Sequence, residues 1–174
     1  TELEDPRVHQ ILSKAIVEMS LGEMEQIRHF FNSSQSIRTY LLRIRRKTAL
    51  LIAISCQLGA LVSGASEEEI QHLYAFGYNV GMAFQIRDDI LDIKGTEQEL
   101  GKPPGSDIRQ GNITLPVILA LREQGLGQLI REEISRLEQT DGEADTLDFL
   151  AWMRGSEGIK QAEDLANKYI NKAL

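Results

Sequence analysis

The chain has 174 residues and a formal net charge of −7, with 42% hydrophobic and 26% charged residues. This length is enough for one well-buried domain, and the composition is that of an ordinary globular protein. The negative charge argues against a nucleic-acid surface, which requires a basic face. No apolar run reaches the length of a membrane span, and the acidic opening at Glu2 to Asp5 is unlike a signal peptide. The single Cys56 cannot form an internal disulfide, so we expect a cytoplasmic protein.

Helical periodicity runs through almost the whole chain, and no segment shows the alternation of a β-strand. The first helix is predicted to begin at Asp5 and Pro6, an N-cap followed by proline, and to reach about Phe31. A second helix is predicted from near Ser36 to Val62. These two helices make up the first third of the chain.

The third helix is predicted to begin at a capping box formed by Ser66 and Glu69 and to end near Ile93. Residues 95–112 are rich in glycine and proline and are predicted to form a long loop, a feature that is often functional. Helices are then expected at about 114–123, 126–138, 145–153 and 156–173. The sequence therefore predicts a single all-α domain, a helical bundle, over residues 1–174.

The clearest chemical signal is a cluster of carboxylates, Asp88, Asp89 and Asp92, near the end of the third helix. Asp88 comes 18 residues after Ile70, which is five turns at about 3.6 residues per turn. It should therefore continue an apolar, core-facing stripe, with Gln85 and Asp92 beside it and Asp89 at the edge. The residues expected in that stripe are Ile70, Leu73, Gly77, Val80, Gly81 and Phe84.

Carboxylates on a buried face are costly unless a cation compensates them. Paired carboxylates one turn apart suit Mg²⁺, which takes oxygen ligands and leaves positions open for substrate phosphates. The pattern predicts a magnesium site at Asp88, Asp89 and Asp92. A solvated acidic helix end is the plainer alternative.

Two further candidates are lysines, one well before this cluster in the sequence and one shortly after it. Lys47 falls in the middle of an apolar stripe of the second helix, where its ammonium either reaches the surface or faces an anion held by the metal. The neighbouring Arg45 and Arg46 are expected to point away as surface charges. Thr48 could add a hydroxyl donor, and Lys102 in the loop is either solvated or folded back over a phosphate. The stripe on this helix is expected to contain Tyr40, Ile44, Leu51, Ile54, Leu58 and Val62.

Several segments together resemble the trans-isoprenyl diphosphate synthases, most closely the long-chain bacterial type. The resemblance covers the chain from about Ser20 onward. The segments are Gly22 to Gln26, Arg46 to Thr48, Phe84 to Asp92, Gly101 to Pro103, Gly105 to Ile108 and Gly111 to Pro116.

This resemblance implies helices around a deep cavity, with two aspartate-rich clusters facing each other across its mouth. It implies Mg²⁺ as cofactor and, as substrates, isopentenyl diphosphate and an allylic prenyl diphosphate, condensed to a trans-polyprenyl diphosphate. It also implies a dimer, either a homodimer or a heterodimer with a small subunit. The residues implied to hold magnesium on the allylic diphosphate are Asp88, Asp89 and Asp92, and those implied to contact the same diphosphate are Lys47, Thr48, Gln85 and Lys102.

The chain departs from the family pattern because the family's first aspartate-rich cluster is missing, since Asp88 and Asp89 form its one Asp-Asp pair, and because it lacks the basic residues near the family's N-terminus. Many members also have lysine at the position of Asn112. We therefore expect the C-terminal portion of a longer synthase, inactive by itself. Two alternatives stay open: a non-catalytic partner subunit, which usually lacks the aspartates, and a squalene synthase or terpene cyclase, in which the Gly-Lys-Pro loop is not expected.

Overall fold

The computed structural model describes residues 6–174, and every regular element in this range is helical, as predicted. The predicted N-cap Asp5 lies outside the described residues. The elements are α1 (Pro6–Arg28), α2 (Ile37–Ile44), a π-helical segment (Arg45–Ala49), α3 (Leu50–Val62), α4 (Glu67–Lys94), α5 (Glu97–Leu100), α6 (Ser106–Arg109), α7 (Leu115–Ala120), α8 (Leu126–Gln139), α9 (Leu147–Arg154) and α10 (Glu157–Ala173).

The predicted second helix is divided by the π-helical segment, in which the Leu50 N–H bonds to the Arg45 carbonyl. A π turn contains one more residue than an α turn, so the face of the following helix is rotated. Leu51 and Val62, expected in the apolar stripe, are consequently exposed, and Leu50, which was not expected there, is buried. Ile54 is buried as predicted. Segments of this kind are frequent at functional sites, and this one carries Lys47 and Thr48.

Helix α4 begins at the predicted capping box of Ser66 and Glu69. It then passes very close to the π-helical segment and α3. A Cβ at Gly81 would lie 2.6 Å from the Cα of Ala49, and one at Gly77 would lie 2.9 Å from the Cα of Ala53. These two glycines therefore let the backbone of α4 approach those of α3 and the π-helical segment. As a result, the part of α4 that carries the aspartate cluster lies beside the π-helical segment.

The predicted stripe on α4 is wrong at three positions, because Leu73, Phe84 and Asp88 are exposed. In addition, Asp89, expected at the edge of the stripe, is buried. Helix α4 packs against both α3 and α10, so its buried side chains spread over more than one face. Those side chains include Met82, Ala83, Ile86, Asp89, Ile90, Asp92 and Ile93.

The glycine- and proline-rich region folds back on the end of α4. It contains two short helices, α5 and α6, and Gly101 and Gly105 adopt positive φ angles of 67° and 76°. The Gly105 N–H donates to the Asp92 carbonyl at 2.7 Å. This places α6 directly against the carboxylate cluster.

Helix α1 packs on α2, the π-helical segment and α3. Its opposite face is apolar and exposed, with Leu12, Ile16, Val17, Leu21, Met24 and Ile27. Cys56 on α3 is a partly buried free thiol. None of the helices in residues 6–174 is both long enough and apolar enough to cross a bilayer.

Candidate diphosphate and metal site

A polar cavity of about 230 Å³ lies where α4, the π-helical segment and the residues before α7 meet. Two cations, Arg43 and Lys47, and three carboxylates, Asp88, Asp89 and Asp107, line it together. The other lining residues are Gln26, Ile44, Thr48, Gln85, Gln110 and Asn112. Both signs of charge therefore face one small space.

A second, larger cavity of about 300 Å³ lies between α1, α3 and α4. Glu18 is the one carboxylate among its lining residues, beside Lys14 and Arg45. Size alone does not identify a site, and the smaller cavity gathers most of the residues that the sequence singled out. We therefore assign the candidate site to the smaller cavity.

Lys47 is partly exposed and lines the cavity, so its ammonium reaches the surface at the place where an anion could lie. Its Nζ lies 3.0 Å from Glu23 Oε1 and donates to Gln26 Oε1 at 3.0 Å. Arg46, expected to be a free surface charge, pairs instead with Glu18 at 3.1 Å and Glu25 at 3.0 Å. These contacts fasten the π-helical segment to α1 and leave the lysine at the cavity.

A chain of hydrogen bonds crosses the cavity from the π-helical segment to α2. The Thr48 hydroxyl donates to Gln85 Oε1 at 2.7 Å, and Gln85 Nε2 donates to Asp89 Oδ1 at 2.9 Å. The Tyr40 hydroxyl donates to Asp89 Oδ2 at 2.6 Å. Thr48, Gln85 and Asp89, each predicted from sequence, are thus brought together, and Tyr40 completes the chain.

Burial shifts the pKa values of several groups at and beside the cavity. It raises the pKa of Asp89 to about 7, although the hydrogen bonds from Tyr40 and Gln85 act in the opposite direction. The pKa of Asp107 is raised to about 6, first by burial and then by the charge of Asp92. Burial and the nearby Asp89 also raise the pKa of Tyr40 well above its usual value. The cavity is consequently a place where negative charge is poorly compensated by the protein.

Arg43 is the buried cation of the cavity, only 3% exposed. Its guanidinium donates to the Ile113 carbonyl at 2.9 Å and to Gln35 Oε1 at 3.2 Å. It also lies 5.5 Å from the centre of the Tyr40 ring. The arginine therefore fixes α2 to the segment before α7 and supplies positive charge behind Asp89.

Asp92 faces the loop and is not among the residues that line the cavity. Its Oδ1 accepts from the Ser106 hydroxyl at 2.7 Å and its Oδ2 accepts from the Asp107 N–H at 3.1 Å. Lys102 lies 3.2 Å from Asp92 Oδ1 and donates to the Ser106 hydroxyl at 2.5 Å. Burial acts to lower the pKa of Lys102, but Asp92 and its neighbours raise it overall. Lys102 and Asp92 therefore form a pair of their own.

Asp88 is exposed at the cavity, and the hydrogen bond recorded for its carboxylate is a long one of 3.4 Å from Gln85 Nε2. Within residues 6–174, no group of three acidic, histidine or cysteine side chains is arranged to hold a metal ion. Magnesium commonly binds through one or two carboxylates together with substrate phosphates and water. The accessible oxygens of Asp88, with Asp89 beside it, fit that mode, whereas a cage of all three carboxylates is not formed.

The sequence did not single out Tyr40, Arg43 or Asp107 as site residues. Tyr40 was assigned to an apolar stripe, and Arg43 carries no pattern that separates it from surface arginines. Asn112 Oδ1 is buried without a hydrogen-bond partner at this cavity, which marks it as an acceptor open to a ligand or its water.

Comparison with known proteins identifies the family of this chain. The Polyprenyl synthetase family model matches residues 1–149. The chain is 49% identical to heptaprenyl diphosphate synthase component 2 of Geobacillus stearothermophilus over 99% of this chain and 53% of that protein.

Solved structures give the same answer. The heptaprenyl diphosphate synthase of Staphylococcus aureus superposes with a TM-score of 0.85 at 41% identity, covering 98% of this chain and 52% of that one. A polyprenyl synthase from Caulobacter crescentus, solved with calcium and isoprenyl diphosphate, gives a TM-score of 0.85 at 31% identity over 97% of this chain and 52% of that one. The chain spans about half the length of the curated relatives it matches. These residues belong to the polyprenyl synthetase family.

Proposed function

We propose that these residues are the C-terminal portion of a magnesium-dependent prenyltransferase. The complete protein condenses isopentenyl diphosphate with an allylic prenyl diphosphate to give a trans-polyprenyl diphosphate. The observation that carries this proposal is the shared cavity, in which Lys47 and Arg43 lie beside Asp88 and Asp89. A diphosphate needs cationic donors, and its magnesium needs carboxylate oxygens.

The chain's own residues then have separate tasks. Lys47 donates to the diphosphate of the allylic substrate, and Gln85 and Thr48 orient it within the cavity. Asp88 holds magnesium, with Asp89 behind it, and the metal would neutralise the charge that develops on the departing pyrophosphate. Asp92 and Lys102 fix the loop, from which Lys102 can move toward a bound diphosphate.

The carboxylates favour a catalytic protein over a non-catalytic partner subunit, because a purely structural helix end would not retain buried, poorly compensated acids. The family's first aspartate-rich cluster would be supplied by residues outside this chain, so the 174 residues alone are expected to be inactive. The family membership likewise disfavours a squalene synthase or terpene cyclase.

The complete protein is also expected to work as a homodimer or a heterodimer. Two observations support this. Relatives are named as component 2 of a heptaprenyl diphosphate synthase, and the exposed apolar face of α1 needs to be covered.

The test is a prenyl-transfer assay on the full-length protein with its partner, using isopentenyl and farnesyl diphosphates with and without Mg²⁺. We expect Mg²⁺-dependent product, a loss of at least about 100-fold for Lys47→Gln, and little change for the control Lys94→Gln. Lys94 pairs with Glu163 at 2.8 Å, away from the cavity. No product from the full-length protein would overturn the function, and product from the 174 residues alone would overturn the expected dependence on the other half.

A further inference from the structure

Asp89 has an environment that a simple metal ligand does not need. It is 2% exposed, and each of its two oxygens accepts a hydrogen bond from a neutral donor, Tyr40 on one side and Gln85 on the other. In residues 6–174 no lysine or arginine forms an ion pair with it. Burying a carboxylate in this way costs stability, which indicates that the arrangement serves something other than stability.

Gln85 is the residue that this arrangement controls. Its Oε1 accepts from Thr48, so its Nε2 must point toward the carboxylates. One N–H of that group is taken by Asp89 at 2.9 Å, and the other reaches toward Asp88 at 3.4 Å. The second N–H is only weakly engaged and lies at the cavity, where an anion's oxygen could accept it.

We propose that Tyr40 is a positioning residue, which locks Asp89 so that Asp89 fixes the Gln85 amide with one N–H directed to the diphosphate. This inference rests on the proposed function. Tyr40 is fully buried and does not reach the ligand, so it acts only through Asp89 and Gln85. Outer partners that orient a binding group commonly matter about 10- to 100-fold in affinity or activity.

The surroundings of Tyr40 hold its hydroxyl in place. Arg43 lies 5.5 Å from its ring centre and is itself tied to the Ile113 carbonyl at 2.9 Å. The tyrosine therefore has a rigid support on α2 and a single acceptor, Asp89, on α4. A side chain kept only to fill the core would not need this 2.6 Å hydroxyl contact.

The experiment measures binding of inorganic pyrophosphate with Mg²⁺ to the full-length protein by calorimetry, at a temperature well below the unfolding of every variant. We expect Tyr40→Phe to weaken binding about tenfold. In the Gln85→Ala background, Tyr40→Phe should add less than about twofold, because its only route to the ligand has been removed. Tyr78→Phe, which removes a hydroxyl from a partly buried tyrosine of α4 outside the cavity, is the control and should bind as the native protein does.

A second readout separates positioning from folding. Tyr40→Phe should raise the KM for the allylic diphosphate, whereas Tyr78→Phe should leave it unchanged. The melting temperatures of the two variants should be similar. Native binding by Tyr40→Phe, or additive losses in the double variant, would overturn the inference while leaving the proposed function intact. Absence of Mg²⁺-dependent binding in the native protein would instead overturn the proposed function. Should Tyr40→Phe not fold, Asp89→Asn with and without Gln85→Ala tests the link from Asp89 to Gln85 through which Tyr40 must act: non-additive losses support the inference and additive losses overturn it.

Discussion

Asp89 and Asp92 are nearly equally buried and lie one turn apart on α4, yet they belong to two different regions. Asp89 faces the cavity and meets neutral donors, Tyr40 and Gln85. Asp92 faces the loop and meets the ammonium of Lys102 as well as Ser106. Two carboxylates of one acidic motif therefore have different roles. The negative charge of Asp92 is already compensated by Lys102, whereas the charge at the cavity is left for a ligand to compensate.

The largest expected effect comes from the accessible carboxylate of the cavity side. In the full-length protein, Asp88→Asn should lower kcat/KM at least about 100-fold, because it removes the proposed ligand for the cation that would stabilise the departing pyrophosphate. Asp92→Asn, the matched change on the loop side, should lower it less than about tenfold. Steady-state kinetics at saturating Mg²⁺ makes the comparison, and equal losses would remove the distinction between the two regions.

Gly81 sets the spacing between α4 and the π-helical segment, which carry the two halves of the cavity. Gly81→Ala should destabilise the full-length protein by about 3 kcal/mol, because its Cβ would lie 2.6 Å from the Cα of Ala49. Gly59→Ala is the control: nothing lies within 4 Å of its Cβ, so a gain of up to about 1 kcal/mol is expected. Urea unfolding measures both, and equal stability of the two variants would contradict the close approach.

The cavity side should also make stability depend on pH. The folded pKa of Asp89, about 7, lies above its unfolded value of 3.8, so the protonated form is favoured by folding. The contribution of Asp89 to the free energy of unfolding is fully present below pH 4 and is lost as the pH rises through 7, by an amount on the order of a few kcal/mol. Measured with a metal chelator present, the free energy of unfolding should fall less steeply from pH 5 to pH 8 in Asp89→Asn than in the native protein. Parallel curves would show that Asp89 does not titrate in this range. Asp107, whose pKa is raised to about 6, accounts for part of the slope that remains in Asp89→Asn.

The smallest effect is expected on the loop side. Asp92→Asn should cost about 1–3 kcal/mol, because it weakens the bonds from Ser106 and the Asp107 N–H and removes the pairing with Lys102. Lys102→Ala should cost less than about 1 kcal/mol, since that side chain is half exposed. Limited proteolysis within residues 95–112 would detect the loosened loop, and a cleavage rate unchanged in Asp92→Asn would contradict this role.

Much of the helical architecture could be predicted from sequence because its signals are local. The predicted capping box at Ser66 and Glu69 forms in the structure, and the last helix, expected at about 156–173, is Glu157–Ala173. The side-chain faces were harder to predict. The π-helical segment rotates α3, so Leu51 is exposed, and packing of α4 on two neighbours exposes Asp88 and buries Asp89.

The site could be predicted only in part. Lys47, Thr48, Gln85, Asp88 and Asp89 line one cavity, and the family resemblance implied that they lie together. The separation of Asp92 and Lys102 into a loop contact depends on the fold of residues 95–112, which periodicity does not specify. The contact between Tyr40 and Asp89 joins residues 49 positions apart, and no local pattern encodes it.

The central claim is that one cavity binds a diphosphate and magnesium together through its cations and its carboxylates. Its most direct test is the affinity of the full-length protein for a non-hydrolysable bisphosphonate, measured by calorimetry with Mg²⁺ and with chelator. The account predicts binding at least about tenfold tighter with Mg²⁺, and loss of that difference in Asp88→Asn. Equal affinity in the two conditions would contradict it.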